Sequence, residues 1–419
     1  MDMRVKKLKL VLVGNGMAGV RTLEELLKID PDLYDITVFG AEPHPNYNRI
    51  RLSPVLAGEQ TIDEIVLNPW SWYEENGITV HAGCKVFEVD RVNRIVRADN
   101  GTGNGGLIET PYDRLLLCTG SDPFMIPVPG KDLQGVIAYR DIADTQNMID
   151  TARTHRHAVV IGGGLLGLEA ANGLMLRGMT VTVVHVNAWL MDRQLDEVAG
   201  GLLRRSLEAR GLKFRLGAHT QELVGNADDG KAGRVKAIRF KDGSEEAADL
   251  VVMAVGIRPN VKLAESMRLH CNRGIVVTDT LQTVTDARIY AVGECAAHRG
   301  IAYGLVAPLF EQAKVAANHL AEMGYGRYLG SRTSTKLKVT GIDLFSAGNF
   351  TGGDGTEEIV LNDPFGGVYK KLVIKDDKLI GACLFGDTAD GGWYYQLLRD
   401  GRSVHDIRET LMFGDAGSC

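Results

Sequence analysis

Apolar runs alternate with a helical pattern over the first part of the chain. Residues 8–13 (LKLVLV) form a continuous apolar run, which is typical of a buried parallel strand. Residues 17–29 follow with apolar positions at helical spacing, and residues 36–39 (ITVF) form the next apolar run. Another buried strand lies within residues 112–123 (YDRLLLCTGSDP). The pattern predicts strand, helix and strand in the order of a parallel α/β unit.

A second copy of this pattern begins near Val159. An apolar run (AVVIGG), a helical stretch (LLGLEAANGLMLRG) and the apolar run 180–186 follow one another. This copy closes at 249–260 (DLVVMAVGIRPN), which repeats the closing segment of the first. In both closing segments an apolar strand runs into a small residue, a glycine and a turn, with Gly120 in the first segment and Gly256 in the second. The repeat predicts two complete nucleotide-binding units.

The last third of the chain changes character. Residues 281–295 (LQTVTDARIYAVGEC) predict a strand ending at Gly293 and Glu294, and residues 305–323 predict a helix. From about residue 330 the pattern alternates like strands, and it ends in a helical pattern over 391–414. We therefore expect an α/β fold with two Rossmann-like dinucleotide-binding domains and a smaller C-terminal α+β domain.

Each unit carries a glycine-rich turn between its first strand and its helix. The glycines follow a Gly-x-Gly-x-x-Gly frame in both copies: Gly14, Gly16 and Gly19, and Gly162, Gly164 and Gly167. In such a turn the first glycine makes the tight bend, the second admits a pyrophosphate, and the third lets helix and strand pack closely. The helix N-terminus adds N–H donors and partial positive charge. Two such turns predict two bound dinucleotides.

The residues after the second strand differ between the copies. In the first copy Glu42 is placed to accept hydrogen bonds from a ribose 2′-OH, the alternative being a solvated loop carboxylate. In the second copy His185, Val186 and Asn187 supply neither an acid nor an arginine cluster. A 2′-phosphate would call for a nearby arginine. The choice between NADH and NADPH stays open, with NADH favoured.

Composition and charge narrow the function classes. The chain has 419 residues, 45% hydrophobic and 24% charged, with a net charge of -6. This length predicts two or three domains. No dense Lys/Arg block is present, which argues against nucleic acid or an anionic membrane as a partner. The N-terminus resembles a secretory signal superficially, but Gly14, Gly16 and Gly19 interrupt its apolar stretch. We expect a cytoplasmic protein.

Cysteine spacing argues against thiol and metal chemistry. The six cysteines are separated by 34, 153, 24, 88 and 36 positions. A metal, a redox disulfide or an iron–sulfur cluster usually requires closely spaced cysteines, and no pair here has that spacing. The predicted helix 17–29 has no cysteine, and neither has the loop RLSPVLAG. We expect no metal site and no thiol-based mechanism.

The ordered motifs resemble a known superfamily. The two glycine turns, Thr119-Gly120, Glu169 and IYAVGEC resemble the flavoprotein disulfide reductases with two dinucleotide-binding domains. More narrowly, PNYNRIRLS, LMDRQLDEVAGGLLRR, YGLVAP and KLKVTGIDLFSAG resemble the N-terminal flavoprotein portion of the large subunit of assimilatory NAD(P)H nitrite reductase. Electron-transfer subunits of assimilatory nitrate reductase share this portion. The resemblance implies FAD in the first unit and NAD(P)H in the second.

The resemblance also implies roles for single residues. Arg49 and Ser53 belong to the loop over the flavin cofactor, and Gly293 and Glu294 approach its ribityl chain and pyrophosphate. Glu169 resembles the glutamate near the nicotinamide, the alternative being a helix carboxylate satisfied by a basic neighbour. Many relatives carry aspartate at position 294. Pro54 stands where ferredoxin and rubredoxin reductases carry a lysine, which leaves no lysine partner for the flavin.

The implied domains and function complete the prediction. Residues 1–125 and 255–328 are expected to bind FAD, residues 126–254 to bind NAD(P)H, and residues 329–419 to form the C-terminal domain. The implied activity is electron transfer from NAD(P)H through FAD to an iron–sulfur or sirohaem module, which the large subunits carry beyond the position of FGDAGSC. The alternatives are a ferredoxin- or rubredoxin-type reductase acting on a free carrier, and a nicotinamide-binding redox sensor. The oligomeric state is open, a homodimer included.

Overall fold

A computed structural model describes residues 7–100, 106–226, 233–331, 334–339 and 341–415. The chain folds into two compact units. The first comprises Met1–Arg51, Thr61–Asp122 and Ile257–Ser331, and the second comprises Leu52–Gln60, Pro123–Gly256 and Arg332–Cys419. Each unit is therefore built from three separate stretches of the chain, and each is described by itself below.

The helices of the described residues vary from one to four turns. In chain order they are α1 (Met17–Ile29), α2 (Leu52–Ala57), α3 (Trp70–Glu75), α4 (Ile142–Thr154), α5 (Leu165–Leu176), α6 (Glu197–Glu208), α7 (Lys262–Ser266), α8 (Val306–Leu320) and α9 (Gly391–Asp400). Short 3-10 turns lie at Arg49–Arg51, Asp63–Ile65, His405–Ile407 and Leu411–Phe413. Within the described ranges, no helix combines the length and apolar character that crossing a membrane requires.

The strands of the described residues are mostly short. They are β1 (Leu8–Val13), β2 (Tyr34–Gly40), β3 (Asn46–Tyr47), β4 (Val66–Asn68), β5 (Thr79–Ala82), β6 (Val86–Asp90), β7 (Ile95–Asp99), β8 (Leu107–Pro111), β9 (Arg114–Leu117), β10 (Ser121–Pro123), β11 (Val136–Ala138), β12 (His157–Ile161), β13 (Thr180–Val184) and β14 (Lys213–Arg215). They continue with β15 (Thr220–Gly225), β16 (Val235–Phe240), β17 (Glu245–Ala247), β18 (Leu250–Met253), β19 (Ile257–Pro259), β20 (Ile275–Val277), β21 (Ile289–Ala291), β22 (Ala296–His298), β23 (Ser334–Val339), β24 (Ile342–Gly348), β25 (Glu357–Asp363), β26 (Val368–Lys375) and β27 (Lys378–Phe385).

The first unit is organised around a parallel sheet of five strands. Their order is β21-β9-β1-β2-β5, so the chain leaves the central β1 toward β2 on one side and returns to β9 on the other. Leu10, Leu12 and Leu116 of its central strands are fully buried. Neighbouring loops on opposite sides of β1 open a crevice at its carboxyl end, the position where nucleotides bind in such sheets.

The second unit contains an equivalent sheet and a separate antiparallel one. Strands β11-β18-β12-β13-β14 are all parallel, with β12 in the centre. The last five strands form the antiparallel sheet β23-β24-β27-β26-β25, against which α9 packs. This C-terminal core includes Leu372, Leu384 and Tyr394, all fully buried. The predicted fold class, two Rossmann-like sheets and a C-terminal α+β part, is confirmed.

Two predicted elements are shorter than expected. In the predicted strand 281–295 only Ile289–Ala291 is a strand, because a turn closed by Thr283 and Asp286 interrupts it. In the predicted helical stretch 391–414 the helix ends at Asp400, because Gly401 adopts a left-handed φ of 62°. Two 3-10 turns follow it. Both elements end where a local turn forms, although the pattern of apolar residues continues beyond that point.

We expect Gly14→Ala to lower the free energy of unfolding by about 1–3 kcal/mol. Gly14 has a φ of +111°, and a Cβ there would lie 2.1 Å from the Cys118 carbonyl oxygen. Gly201→Ala in α6 is the control, since a Cβ there has only the Arg205 Nη1 atom within 4 Å, at 3.8 Å. Alanine in a helix should raise the free energy of unfolding by about 0.5–1 kcal/mol. Urea unfolding measures both variants, and a Gly14→Ala protein as stable as the parent would contradict this account.

Candidate dinucleotide sites

The first glycine turn is shaped by backbone contacts. Gly14 lies beside the Cys118 carbonyl group, at a distance where a side chain could not fit. A Cβ on Gly19 would lie 2.8 Å from the Gly14 carbonyl oxygen. Only a glycine at position 19 therefore lets the first turn of α1 pack this closely against the glycine turn. The turn is therefore tight because the residue after β9 and the first turn of α1 both press their backbones against it.

The second glycine turn repeats these contacts. Gly162 has a φ of +125°, and its Cβ would lie 2.2 Å from the Ala254 carbonyl oxygen just beyond β18. A Cβ on Gly167 would lie 2.0 Å from the Gly162 carbonyl oxygen. In both units, the first and third glycines of the motif must therefore be glycine because a Cβ would collide with a backbone carbonyl oxygen. The predicted repeat extends to the atomic contacts of the turn.

The middle glycines have a different reason to be glycine. Gly16 and Gly164 are the N-caps of α1 and α5, both in extended backbone, and no side chain caps either helix. A Cβ at either position would meet no protein atom within 4 Å. It would instead project into the open space before the helix N-terminus, where the first N–H groups lack intrahelical partners.

Other helices show that this exposure of N–H groups is not general. The N-caps of α4 and α6 are Asp141 and Asp196, whose carboxylates accept hydrogen bonds from Asp144 N and Ala199 N at 2.8 and 3.0 Å. The N-terminus of α8 also lacks a capping side chain, so the missing cap alone does not define a site. Together with the open space at Gly16 and Gly164, it fits the pyrophosphate of a dinucleotide.

Glu42 lies two residues beyond β2 in the first unit. Its carboxylate accepts hydrogen bonds from Tyr47 Oη at 2.7 Å and from Arg49 Nη2 at 2.5 Å. The Arg49 guanidinium also lies over the Tyr47 ring, 5.2 Å from its centroid. The acid predicted to bind a ribose is thus oriented by two neighbours, one of which is the predicted loop residue Arg49.

The predicted residues after β9 and β21 form hydrogen bonds within the first unit. Thr119 Oγ1 donates to the Asn260 carbonyl oxygen at 2.7 Å, beside Gly120 with its φ of +66°. Ser121 Oγ donates to Glu294 Oε2 at 2.7 Å. The longer glutamate at position 294 is therefore held by a buried serine. Ser121 was not predicted from the sequence, since 173 residues separate it from Glu294.

Gly293 is held from the helix that follows it. Its N–H donates to the side-chain oxygen of Gln312, a fully buried residue of α8, at 3.0 Å. Gly293 has a φ of +98°, and its Cβ would lie 3.0 Å from the Ala18 Cβ of α1. Gly293 therefore sits next to the first turn of α1. Gln312 was not predicted as a residue that holds Gly293. The signal in the sequence is a glutamine on the apolar face of the predicted helix 305–323.

Glu169 of α5 forms a half-buried cluster in the second unit. Ser53 Oγ donates to Glu169 Oε2 at 2.6 Å, and Tyr139 Oη donates to Ser53 Oγ at 3.2 Å. Burial raises the pKa of Glu169 above its ordinary value of 4.5, and the Ser53 hydrogen bond partly offsets that shift. Burial likewise raises the pKa of Tyr139. No basic side chain among the described residues neutralises this carboxyl group.

The structure thus distributes the predicted site residues over the two units. Gly14, Gly16, Gly19, Glu42, Arg49, Thr119, Gly120, Gly293 and Glu294 lie in the first, and Ser53, Gly162, Gly164, Gly167, Glu169 and Gly256 in the second. Gly256 has a φ of +113°, and no protein atom would lie within 4 Å of its Cβ. Tyr139 is the residue of the Glu169 cluster that sequence analysis missed, because nothing in the pattern around it differs from a buried core position.

The cysteines near these motifs are buried thiols. Cys118 and Cys295 are both free, and burial raises the pKa of each above its ordinary value. A thiol needs a lowered pKa to act as a nucleophile near neutral pH, so neither environment activates it. Among the described residues no group of three or more His, Cys, Asp or Glu side chains could hold a metal ion.

Comparison with known proteins identifies the family. The model of the pyridine nucleotide-disulphide oxidoreductase family matches residues 8–319, and the rubredoxin NAD+ reductase C-terminal domain matches residues 334–402. The chain belongs to the pyridine nucleotide-disulphide oxidoreductase family. The resemblance inferred from the glycine turns is confirmed, and so is the prediction of an oxidoreductase that uses FAD and NAD(P)H.

Two relatives come from Bacillus subtilis (strain 168). The chain is 51% identical over 404 residues to its NAD(P)H nitrite reductase, a match covering 96% of this chain and 48% of the relative. It is 47% identical over 386 residues to its assimilatory nitrate reductase electron transfer subunit, covering 92% of this chain and 48% of the relative. The chain spans about half the length of these curated relatives.

The fold is also found among solved structures. The NAD-dependent persulfide reductase of A. fulgidus superposes with a TM-score of 0.85 at 23% identity, covering 95% of this chain and 78% of that chain. Identity this low supports the fold alone. The shared fold agrees with the sheet orders described above.

We expect Glu169→Gln to change how stability depends on pH. The folded-state pKa of Glu169 is raised, so its contribution is most favourable below 4.5 and is lost as the pH rises through the folded pKa. Glutamine keeps the Ser53 hydrogen bond without the charge. The parent should therefore lose stability relative to Glu169→Gln as the pH rises above about 4.5 and through the raised folded-state pKa.

Thermal unfolding midpoints across this pH range measure the effect. Glu208→Gln is the matched control, since it removes an exposed carboxylate from another helix of the same unit. Parallel pH profiles of the parent and Glu169→Gln would contradict the assignment of a carboxyl group whose pKa is raised by desolvation.

Proposed function

We propose that the chain is an FAD-dependent NAD(P)H oxidoreductase that supplies electrons to an iron–sulfur or sirohaem acceptor in nitrite or nitrate assimilation. One observation carries the proposal: two glycine turns with the same backbone contacts open toward two separate helix N-termini, each in its own parallel sheet. An enzyme that bound one nucleotide would need only one of them.

The first turn takes FAD and the second takes NAD(P)H in this proposal. Glu42 supports this division, because only the first copy has an acid two residues beyond its second strand. On this basis residues 1–125 and 255–328 bind FAD, residues 126–254 bind NAD(P)H, and residues 329–419 form the C-terminal domain. These boundaries follow the repeat in the sequence.

The protein's own contribution is to bind and orient. Uncapped N–H groups of α1 and α5 stabilise two pyrophosphates, with Gly16 and Gly164 leaving the space they need. Gly120, Gly293 and Glu294 complete the first site and Gly256 the second, and Glu169 orients the nicotinamide carboxamide. When bound, the two cofactors would supply the redox chemistry, namely hydride transfer and the release of single electrons.

The class of electron acceptor is inferred from the names of the relatives and from the spacing of the cysteines. The relatives are named a nitrite reductase and an electron transfer subunit of nitrate reductase. Cluster ligands need closely spaced cysteines, and the 419 residues have none with that spacing. The acceptor module therefore lies outside these residues. A cytoplasmic location and a homodimer remain predictions from the sequence and its resemblance.

A reductase of a free carrier is the second candidate. The match of residues 334–402 to the rubredoxin NAD+ reductase C-terminal domain favours it. Assays with purified rubredoxin, ferredoxin and nitrite reductase modules separate the two functions by the acceptor that is reduced fastest. A redox sensor is the third candidate, and it requires a flavin that NADH does not reduce rapidly.

We expect Gly16→Val to lose FAD and Gly164→Val to keep it. Neither Cβ would touch protein, and both backbones are extended, so each variant should fold. In Gly16→Val the side chain occupies the space of the FAD pyrophosphate, whereas in Gly164→Val it blocks only the nicotinamide nucleotide. Flavin absorbance per protein measures FAD, and anaerobic mixing with NADH measures reduction.

Each variant is the control for the other. Gly164→Val should remain yellow and be bleached by dithionite, while NADH reduces it at least tenfold more slowly than the parent. Loss of FAD from Gly164→Val with retention in Gly16→Val would mean that the two sites are exchanged. Full FAD occupancy in both would refute the glycine-turn assignment.

We expect the purified 419-residue chain to oxidise NADH with ferricyanide but to form no ammonium from nitrite. Reduction of nitrite to ammonium takes six electrons at a sirohaem and iron–sulfur centre, which the cysteine spacing of this chain does not provide. Ammonium assays with NADH and nitrite measure the second activity. Ammonium formed by this chain alone would sink the proposal of a separate acceptor module.

A further inference from the structure

The segment after β13 is fastened to the second glycine turn at two points. The Gly163 N–H donates to His185 Nδ1 at 3.2 Å, and the Met191 N–H donates to the Gly163 carbonyl oxygen at 2.9 Å. Both backbone groups of Gly163 therefore bind residues of this segment. Any residue near Met191 is held beside the turn that takes a nucleotide in the proposed function.

Comparison of the two units shows what His185 replaces. Gly14 N donates to the carbonyl oxygen of Phe39, and Gly162 N donates to that of Val184, both at 2.8 Å. This register makes Gly40 equivalent to His185 and Glu42 equivalent to Asn187. The second unit thus has an uncharged amide where the first has its ribose acid.

The packing at these positions is exchanged as well. A Cβ on Gly40 would lie 3.0 Å from the Asn15 Cβ, whereas a Cβ on Gly163 would lie 2.8 Å from His185 Cγ. In the first unit the side chain that fills this space belongs to Asn15 of the glycine turn. In the second unit it belongs to His185 at the end of the strand. Glycine at position 163 therefore makes room for the imidazole.

His185 connects the turn to a carboxylate. Because its Nδ1 accepts the Gly163 hydrogen bond, the ring proton lies on Nε2, which donates to Asp192 Oδ1 at 2.9 Å. The side chains are 10% and 25% exposed, respectively. Among the described residues Asp192 Oδ2 has no hydrogen-bond partner.

The backbone holds Asp192 in place. Met191, the residue before it, has a φ of 53° although it is not glycine, and its side chain is buried. A non-glycine residue keeps this conformation only where its surroundings impose it, and such residues cluster at functional positions. Here the hydrogen bond to Gly163 and the buried side chain both impose it.

A cation close to His185 is already engaged. The His185 N–H donates to the Arg215 carbonyl oxygen at 2.9 Å. The Arg215 guanidinium is bound to Asp242 at 3.0 Å and lies 4.0 Å from the centroid of the Phe240 ring. The Arg215 guanidinium is therefore already paired and is not a free partner for a 2′-phosphate at this position.

We propose that Asp192, positioned by His185, accepts the adenosine ribose hydroxyls of the nicotinamide nucleotide and makes the protein select NADH over NADPH. The inference rests on the proposed function in one respect, since it takes the second glycine turn as the nicotinamide site. A carboxylate at this place binds ribose hydroxyls and repels a 2′-phosphate. Asp192 lies five residues beyond Asn187, the position equivalent to the ribose acid of the first unit.

The test uses the FAD-containing protein and two fragments that cannot be oxidised. Calorimetry compares the affinity of ADP-ribose with that of 2′-phospho-ADP-ribose, and steady-state assays with ferricyanide compare NADH with NADPH. The parent should favour the unphosphorylated form at least tenfold in both. Asp192→Asn should reduce that preference tenfold or more, mainly through the KM for NADH, while kcat and FAD content stay unchanged.

Two further variants test whether any nearby negative charge has the same effect as Asp192 and whether His185 acts by positioning Asp192. Glu197→Gln removes an exposed carboxylate nearby on α6 and should leave the preference intact. His185→Gln should weaken ADP-ribose binding in the parent but not in an Asp192→Asn background, because it acts through Asp192. Equal losses in both backgrounds would mean that His185 acts independently.

Two results would overturn the inference. One is a parent that binds 2′-phospho-ADP-ribose as tightly as ADP-ribose, which would point to the exposed Arg193 beside Asp192. The other is an unchanged preference in a folded Asp192→Asn protein. Failure of the proposed function would differ: ADP-ribose would still bind with the expected preference, but NADH would not reduce the flavin.

Discussion

The whole arrangement depends on a carbonyl oxygen that occupies the place of a side chain. In each unit the residue that follows a parallel strand, Cys118 or Ala254, presents its carbonyl group 2.1–2.2 Å from where a Cβ of the first turn glycine would lie. Only glycine fits, and its positive φ bends the chain from strand to helix within a few residues. The helix then starts with uncapped N–H groups that face open space, which is the property a pyrophosphate requires.

The local parts of this arrangement could be predicted from the sequence. The predicted strand 8–13 and helix 17–29 agree with the observed Leu8–Val13 and Met17–Ile29, because apolar spacing and glycines act on neighbouring residues. Contacts across long separations could not be predicted. Ser53 and Glu169 are 116 residues apart, and Ser121 and Glu294 are 173 apart, so only the folded chain brings each pair together.

The two units differ where their chemistry has to differ. The first has a carboxylate, Glu42, fixed by a tyrosine and an arginine, whereas the second has Asn187 at the equivalent position. Glu169 in the second unit is half-buried and has no basic partner among the described residues, and Pro54 stands where a lysine would be expected from the resemblance. A repeated backbone has therefore been given two sets of side chains, which supports two different nucleotides rather than two copies of one.

The central claim is that NADH bound at the second turn reduces a flavin bound at the first. Anaerobic rapid mixing of the purified protein with NADH, followed by the visible flavin absorbance, tests it most directly. The account predicts that the flavin absorbance is fully bleached within the time of one catalytic cycle, as measured in the steady-state ferricyanide assay. Flavin that stays oxidised with NADH and NADPH, yet is bleached by dithionite, would contradict the account and favour a nicotinamide-binding sensor.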